Sequence, residues 1–269
     1  MQHPEPEPPI PHDTIDIHTG DGVCPTEVFE PEGGGPWPGV LVFMDAHGIR
    51  PAMLEIAERL AAHGYVAALP DLYYRSGFRP PEDGSLFSDP AVRAHWTAQV
   101  LPTVSAGKVM HDVPAFLEHL DARPTVRRGA IATVGYCMGG RLSLAAAGHF
   151  PERVAAAASY HPGGLATDAP DSPHLLAPRM RARVYVGGAK EDRSFDDAQK
   201  ARLDAALSAA GVEHTIETYD ALHGFVPRDT RAHDAAAAAR HWRTLLALLD
   251  DTLRGGPGAV TPRTPTAPA

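Results

Sequence analysis

Cysteine is scarce in this chain, with two residues in 269, Cys24 and Cys137. They stand in unlike contexts, Cys24 in a Gly/Pro-flanked N-terminal stretch and Cys137 between a strand-like and a helix-like segment. A disulfide framework is therefore excluded as the organising device, and a reducing compartment is the simpler expectation. No apolar run reaches the ~18 residues that a membrane span requires, and the opening MQHPEPEPPIPHD carries neither a basic region nor an apolar core of the kind a secretory signal needs. A cytoplasmic, soluble protein is expected. Basic excess is lacking too: the formal charge is −9 and the pI about 5.9, which leaves no stripe for a phosphate backbone and excludes nucleic acid as a partner. A small anionic substrate needs only one or two local arginines. Zinc spacing is missing, since neither H-E-x-x-H nor a Cys/His cluster occurs among the 15 histidines, and no metal is assigned.

What the chain does have is apolar material for a core, 43% hydrophobic against 21% charged residues. Short apolar β-type runs alternate with longer helical patterns, the signature of βαβ units and a mostly parallel sheet covered on both faces. Eight strands are expected, at Thr14–His18, Thr26–Glu30, Gly39–Met44, Val66–Pro70, Ala130–Gly135, Val154–Tyr160, Ala182–Gly187 and His214–Tyr219. Pro51 opens and Gly64 closes a helix over Ala52–His63. Further helices fit Gly107–Leu120, Met138–Gly148, Asp196–Ala210 and Asp234–Leu253. Length alone allows one large α/β domain or two small ones, and motif order favours one, over residues 13–253. Pro-, Glu-, Gly- and Thr-rich tails at 1–12 and 254–269 flank it, with little to bury against the entropy of ordering. The stretch Tyr73–Pro102 is irregular and long for a connection, and reads as a loop or cap over a pocket.

Between the strand Ile131–Val134 and the helix beginning near Arg141 lies Gly135-Tyr136-Cys137-Met138-Gly139-Gly140. This is the G-x-S-x-G elbow of an α/β-hydrolase fold with cysteine in place of serine. Flanking glycines suit a strained strand-to-helix turn that leaves no space for Cβ atoms. Cys137 then stands at a helix N-terminus, where the macrodipole favours the reactive thiolate, and the Met138 N–H faces a developing oxyanion. Partners in such a fold follow in the order acid, then base. Val184–Gly188 leads into Glu191-Asp192, and Thr215–Tyr219 leads into Leu222-His223-Gly224-Phe225. Asp192 and His223 form the expected pair, His223 relaying the thiol proton and Asp192 fixing its tautomer, with Glu191 as the competitor for the acid. Other histidines read as caps or surface groups, His63 and His119 among them; His161, just after a strand, adjoins the pocket in either a structural or a contact role.

The G-Y-C-M-G-G elbow, the G-Y-V-A-A-L-P-D-L-Y segment at Gly64–Tyr73, the Gly187-Gly188 strand followed by Asp192, and the closing H-G-F together resemble the dienelactone hydrolase family over roughly residues 13–253. The resemblance implies a Cys-His-Asp triad that opens an enol-lactone ring, no cofactor, and a monomer or small homo-oligomer. It also implies a glutamate after the third strand, paired with the resting thiol. In Phe43-Met44-Asp45-Ala46-His47-Gly48 that position holds Asp45, one methylene shorter, which reads either as the thiol's partner or as a strand-end cap. Ala46 is implied as the second oxyanion N–H. Arginines bind the substrate carboxylate in that family, and the candidates are Arg75 and Arg79 in the cap-like stretch and Arg228, one residue beyond the family's spacing after the histidine. A cysteine hydrolase of lactones or activated esters, acting through a thioester, is the expected function. A general carboxylesterase or thioesterase with the same triad is the alternative. A non-catalytic or redox-sensing scaffold, with Cys137 as a thiol open to sulfenic acid, is the third.

Overall fold

The protein was described from a computed structural model covering Ile10 and residues 12–255. The expected tails, 1–12 and 254–269, lie outside the described residues apart from Ile10, His12, Arg254 and Gly255. Eight strands form one sheet: β1 (His12–Thr19), β2 (Gly22–Phe29), β3 (Gly39–Phe43), β4 (Val66–Pro70), β5 (Ile131–Tyr136), β6 (Val154–Tyr160), β7 (Arg183–Ala189) and β8 (His214–Tyr219). Their order is β1-β2-β4-β3-β5-β6-β7-β8, with β1–β2 and β2–β4 antiparallel and every other pair parallel. The expected α/β-hydrolase class, a mostly parallel eight-stranded sheet, is what the chain adopts.

Strands β3, β4 and β5 are buried at every position, as a sheet covered on both faces requires. Among the described residues six α-helices accompany the sheet: α1 (Pro51–Ala62), α2 (Pro90–His95), α3 (Ala106–Ala122), α4 (Met138–His149), α5 (Asp197–Ala209) and α6 (Ala235–Leu253). Their ends follow local chemistry. Pro51 stands at N1 of α1, and Gly64 just past it takes φ +82°. The Asp196 and Asp234 carboxylates cap α5 and α6 by accepting from Gln199 N at 2.9 Å and Ala237 N at 2.8 Å.

From β3 the chain crosses to β4 on one side, then returns to β5 on the other. Right-handed crossovers running in opposite directions put α1 and α4 on opposite faces, and the reversal opens a crevice at the carboxyl ends of β3 and β5. Asp45-Ala46 follow one of those ends and Cys137 the other.

The cap-like stretch is more regular than a loop. Asp89 caps α2 by accepting from Ala91 N and Val92 N, and α2 continues into a π-helical turn at Trp96–Val100 and a 3-10 turn at Leu101–Val104. A further 3-10 turn at Pro173–Arg179 was not expected. No helix among the described residues is long and apolar enough to cross a membrane.

Candidate active site

The elbow is built by close approach. Cys137 takes φ +54°, ψ −117°, in the left-handed half of backbone space that a residue with a Cβ seldom enters. A Cβ on Gly135 would overlap the Gly139 carbonyl, and one on Gly139 would overlap the carbonyls of Phe43 and Met44. Neither position accepts a side chain. The strained turn is held by Cys137 N donating to Tyr160 O at 3.1 Å and Gly140 N donating to Cys137 O at 3.1 Å. Cys137 is half-buried. Cys24, by contrast, is fully buried, and burial pushes its thiol up to about 12, which makes it the inert cysteine of the two.

Asp192 and His223 meet across the ends of β7 and β8. His223 Nδ1 lies 2.7 Å from Asp192 Oδ2, so the proton sits on Nδ1 and Nε2 is left for a second partner. Asp192 Oδ1 accepts from Ser194 N at 2.9 Å and from the Ser194 hydroxyl. Burial opposes charge on His223, yet the Asp192 hydrogen bond and the Cys137 sulfur outweigh it and hold the imidazolium up to about 10. Burial would likewise raise the Asp192 carboxyl, but its bonds to His223 and Ser194 pull it below the usual carboxylate range. Glu191 is exposed at φ +52° and makes no hydrogen bond or ion pair among the described residues. The contact with His223 belongs to Asp192.

Asp45 lies at the crevice, but its side chain is committed elsewhere. Both carboxylate oxygens accept from Arg50, Oδ1 from Nη1 at 2.7 Å and Oδ2 from Nη2 at 2.9 Å, and Oδ1 also accepts from His47 N at 2.9 Å. Arg50 simultaneously grips Asp229, through Nε at 2.6 Å and Nη2 at 3.1 Å. The shorter side chain thus serves an Asp45–Arg50–Asp229 clamp, buried at Asp45 and open to solvent at Asp229, rather than the thiol. That clamp joins the β3 turn to the loop that carries His223.

Met138 opens α4, so its N–H is one of the first-turn donors without a helical acceptor. The N–H of Ala46 has no protein acceptor among the described residues. The Ala46 carbonyl accepts from Tyr73 Oη at 2.7 Å, and Tyr73 Oη in turn accepts from Trp96 Nε1 at 2.9 Å. Tyr73 is also 4.0 Å from Met138 Sδ. A buried chain, Trp96 to Tyr73 to Ala46, therefore links the cap to this turn.

None of the three candidate arginines stands ready for a substrate carboxylate. Arg75 is half-buried and spent on Asp21 at 2.8 Å and Asp112 at 2.6 Å, beside the β1–β2 turn and α3. Arg79 is exposed and pairs with Asp71 at 3.0 Å. Arg228 is exposed, 3.6 Å from Glu55 of α1. Charge placement of this kind depends on tertiary neighbours that spacing does not reveal. Asp21, His111 and Asp112 also bring possible metal-ligand atoms within 4.8 Å of one another, but the Arg75 guanidinium already neutralises that corner.

Arg50, Ser194, Tyr73 and Trp96 were not read from sequence as site residues. Arg50, directly before Pro51, gave no signal. Tyr73 lay within the L-Y segment and Trp96 within the cap stretch, yet nothing local showed that they bond each other. His161 is fully buried at φ +37°, and its ring packs edge-to-face on His223 and Phe225 at 5.4 and 5.1 Å between centroids. Neither of its ring nitrogens has a partner, and burial keeps it neutral, well below the usual histidine range.

Comparison with known proteins agrees with this architecture. A Synechocystis protein named as a carboxymethylenebutenolidase is 27% identical over 254 residues, covering 90% of this chain and 100% of its own. An Escherichia coli K12 protein of the same name is 28% identical, over 84% of this chain and 82% of its own. Among solved structures, one titled as a dienelactone hydrolase of Klebsiella pneumoniae superposes with a TM-score of 0.78 at 23% identity, covering 89% of this chain and 98% of its own. The dienelactone-hydrolase-like promiscuous phosphotriesterase P91, from metagenomic libraries, superposes at 0.72 with 24% identity, covering 91% and 99%. The model of the dienelactone hydrolase family matches residues 25–253, a span that holds the elbow, Asp192 and His223 together, and the chain belongs to that family.

Proposed function

We propose that the protein hydrolyses lactones or activated esters with Cys137 as nucleophile, His223 as base and acid, and Asp192 as the group that fixes His223. The observation that carries this reading is the pairing of a cysteine on a φ +54° elbow with a histidine whose Nδ1 is tied to a carboxylate at 2.7 Å. A histidine that keeps its proton to about 10 faces sulfur as an imidazolium, the partner a thiolate needs.

In this mechanism the sulfur anion adds to the carbonyl carbon, and the carbonyl π pair moves onto oxygen. The N–H groups of Met138 and Ala46 receive that oxyanion. Collapse expels the ring or ester oxygen, which takes the His223 Nε2 proton as it leaves, and a thioester remains on Cys137. Neutral His223 then draws a proton from water, hydroxide adds to the thioester, and sulfur departs with the acid released. Sulfur is itself a good leaving group, so a stable leaving oxygen anion, such as an enolate, favours forward collapse. Unactivated esters and amides are poor substrates on this account. Asp45 and Arg50 hold the oxyanion turn and the His223 loop in register.

The commitment of Arg75 and Arg79 to other partners, with Arg228 exposed beside Glu55 of α1, favours a second reading, a carboxylesterase or thioesterase whose substrate carries no carboxylate. Turnover of paired lactones with and without a free carboxylate separates the two, since only carboxylate recognition makes kcat/KM depend on that charge. In either case Cys137→Ala abolishes hydrolysis of an activated phenyl ester. Hydrolysis by that variant at the parental rate contradicts the proposal.

A further inference from the structure

Arg228, displaced from the catalytic crevice, borders a different cavity. It has a volume of about 220 Å³ and lies between α1, the start of α6 and the loop Val226–Arg228. Ile56, Val226, Pro227 and Trp242 give it an apolar floor, and three nitrogen-bearing side chains, Arg59, Arg228 and His233, stand around it. Arg59 lies over the Trp242 ring at 4.4 Å and has no acidic partner among the described residues. Its charge is disfavoured by burial and by the nearby Arg228. Two guanidinium groups are thus held on one small cavity, with one carboxylate, Glu55, answering Arg228 at 3.6 Å, beyond a close ion pair. His233 Nδ1 is spent on Val226 O at 3.2 Å, which leaves Nε2 available. Ala235, the first residue of the 19-residue α6, also lines the space, next to the Asp234 carboxylate that already caps this helix through Ala237 N.

We infer that this cavity is a binding site for a small organic carboxylate, distinct from the crevice at Cys137 and independent of the reaction proposed there. The carboxylate relieves the Arg59–Arg228 repulsion and accepts from their forks, while its apolar body rests on Trp242, Val226 and Ile56. A bare inorganic anion satisfies only the first half of that description.

Calorimetric titration of the full chain with benzoate, inorganic phosphate and neutral benzamide tests the assignment. Benzoate binds saturably at one site per chain and more tightly than either other probe. An Arg59→Gln/Arg228→Gln double variant with an unchanged melting temperature binds benzoate at least about tenfold more weakly, the loss expected when charge-assisted hydrogen bonds go. Glu55→Gln, which removes the competing carboxylate, tightens binding. Absence of saturable benzoate binding, equal affinity in the double variant, or phosphate binding as tightly as benzoate each overturns the inference; equal affinity places the ligand at another site, and the phosphate result shows an adventitious ion only.

Discussion

Cys137 gains its setting from backbone strain more than from any side chain that touches it. A non-glycine residue at φ +54° costs about 1–3 kcal/mol and persists only where the surroundings over-determine it; here Tyr160 O and the absence of Cβ atoms at Gly135 and Gly139 do so. Tyr73 acts at the same scale. In Tyr73→Phe the Ala46 carbonyl loses its donor and the Trp96 N–H is left buried without an acceptor, which costs about 1–3 kcal/mol. Because the turn proposed to receive the oxyanion is loosened, kcat/KM for an activated ester falls about tenfold, with Cys137 still alkylated by iodoacetamide. Thermal melts together with ester kinetics check both halves, and an unchanged kcat/KM removes Tyr73 from the positioning of Ala46. His161 makes the opposite case, since His161→Phe keeps the edge-to-face packing on His223 and removes two unpartnered buried nitrogens. The melting temperature rises in that variant, and a fall of several degrees points to an undetected polar contact.

Between elements, the Asp45–Arg50–Asp229 clamp is the connection that matters, because it joins the turn after β3 to the loop that follows β8. Arg50→Ala leaves a nearly fully buried Asp45 carboxylate unpaired and destabilises the fold by about 3–5 kcal/mol, measured by denaturant unfolding. Arg50→Lys recovers part of that loss at most, since an ammonium has no planar fork to bridge two carboxylates. A loss below ~1 kcal/mol in Arg50→Ala sinks the clamp as a structural element. The eight strands and the main helices were legible in sequence because buried parallel strands such as Val40–Phe43 are short uniform apolar runs, and because Pro51, Gly64, Asp196 and Gly211 punctuate the helices. The short helices after Asp89 were not, because α2 buries none of its residues and so shows no apolar stripe. Likewise the elbow could be read from its glycines, whereas Asp192 against Glu191 turned on a single backbone position, and the partners of Arg75 lie 54 and 37 positions away and that of Arg228 on α1. Long-range charge pairing leaves no periodic trace.

For the whole molecule, pH is the lever that reaches the site without mutation. The folded state raises His223 to about 10 from an ordinary value of 6.5 and lowers Asp192 beneath 3.8. The raised histidine contributes stability in full below pH 6.5 and loses it as pH climbs towards 10. The lowered aspartate contributes above 3.8 and loses its share as pH falls through the acid range. The melting-temperature gap between the parent and His223→Gln therefore narrows from pH 6 to pH 10 by this linkage. A gap that stays constant across that range contradicts the ion-pair description of the site.

The proposed mechanism requires a covalent thioester on Cys137. Mixing the protein with a slowly turned-over activated ester, quenching in acid and mapping the mass increment by peptide tests it directly. One acyl group per chain is expected, confined to the peptide that contains Cys137, and it accumulates in Asp192→Asn, where His223 is less able to assist water. An acyl group on any other residue, or turnover with none trapped in either protein, contradicts it.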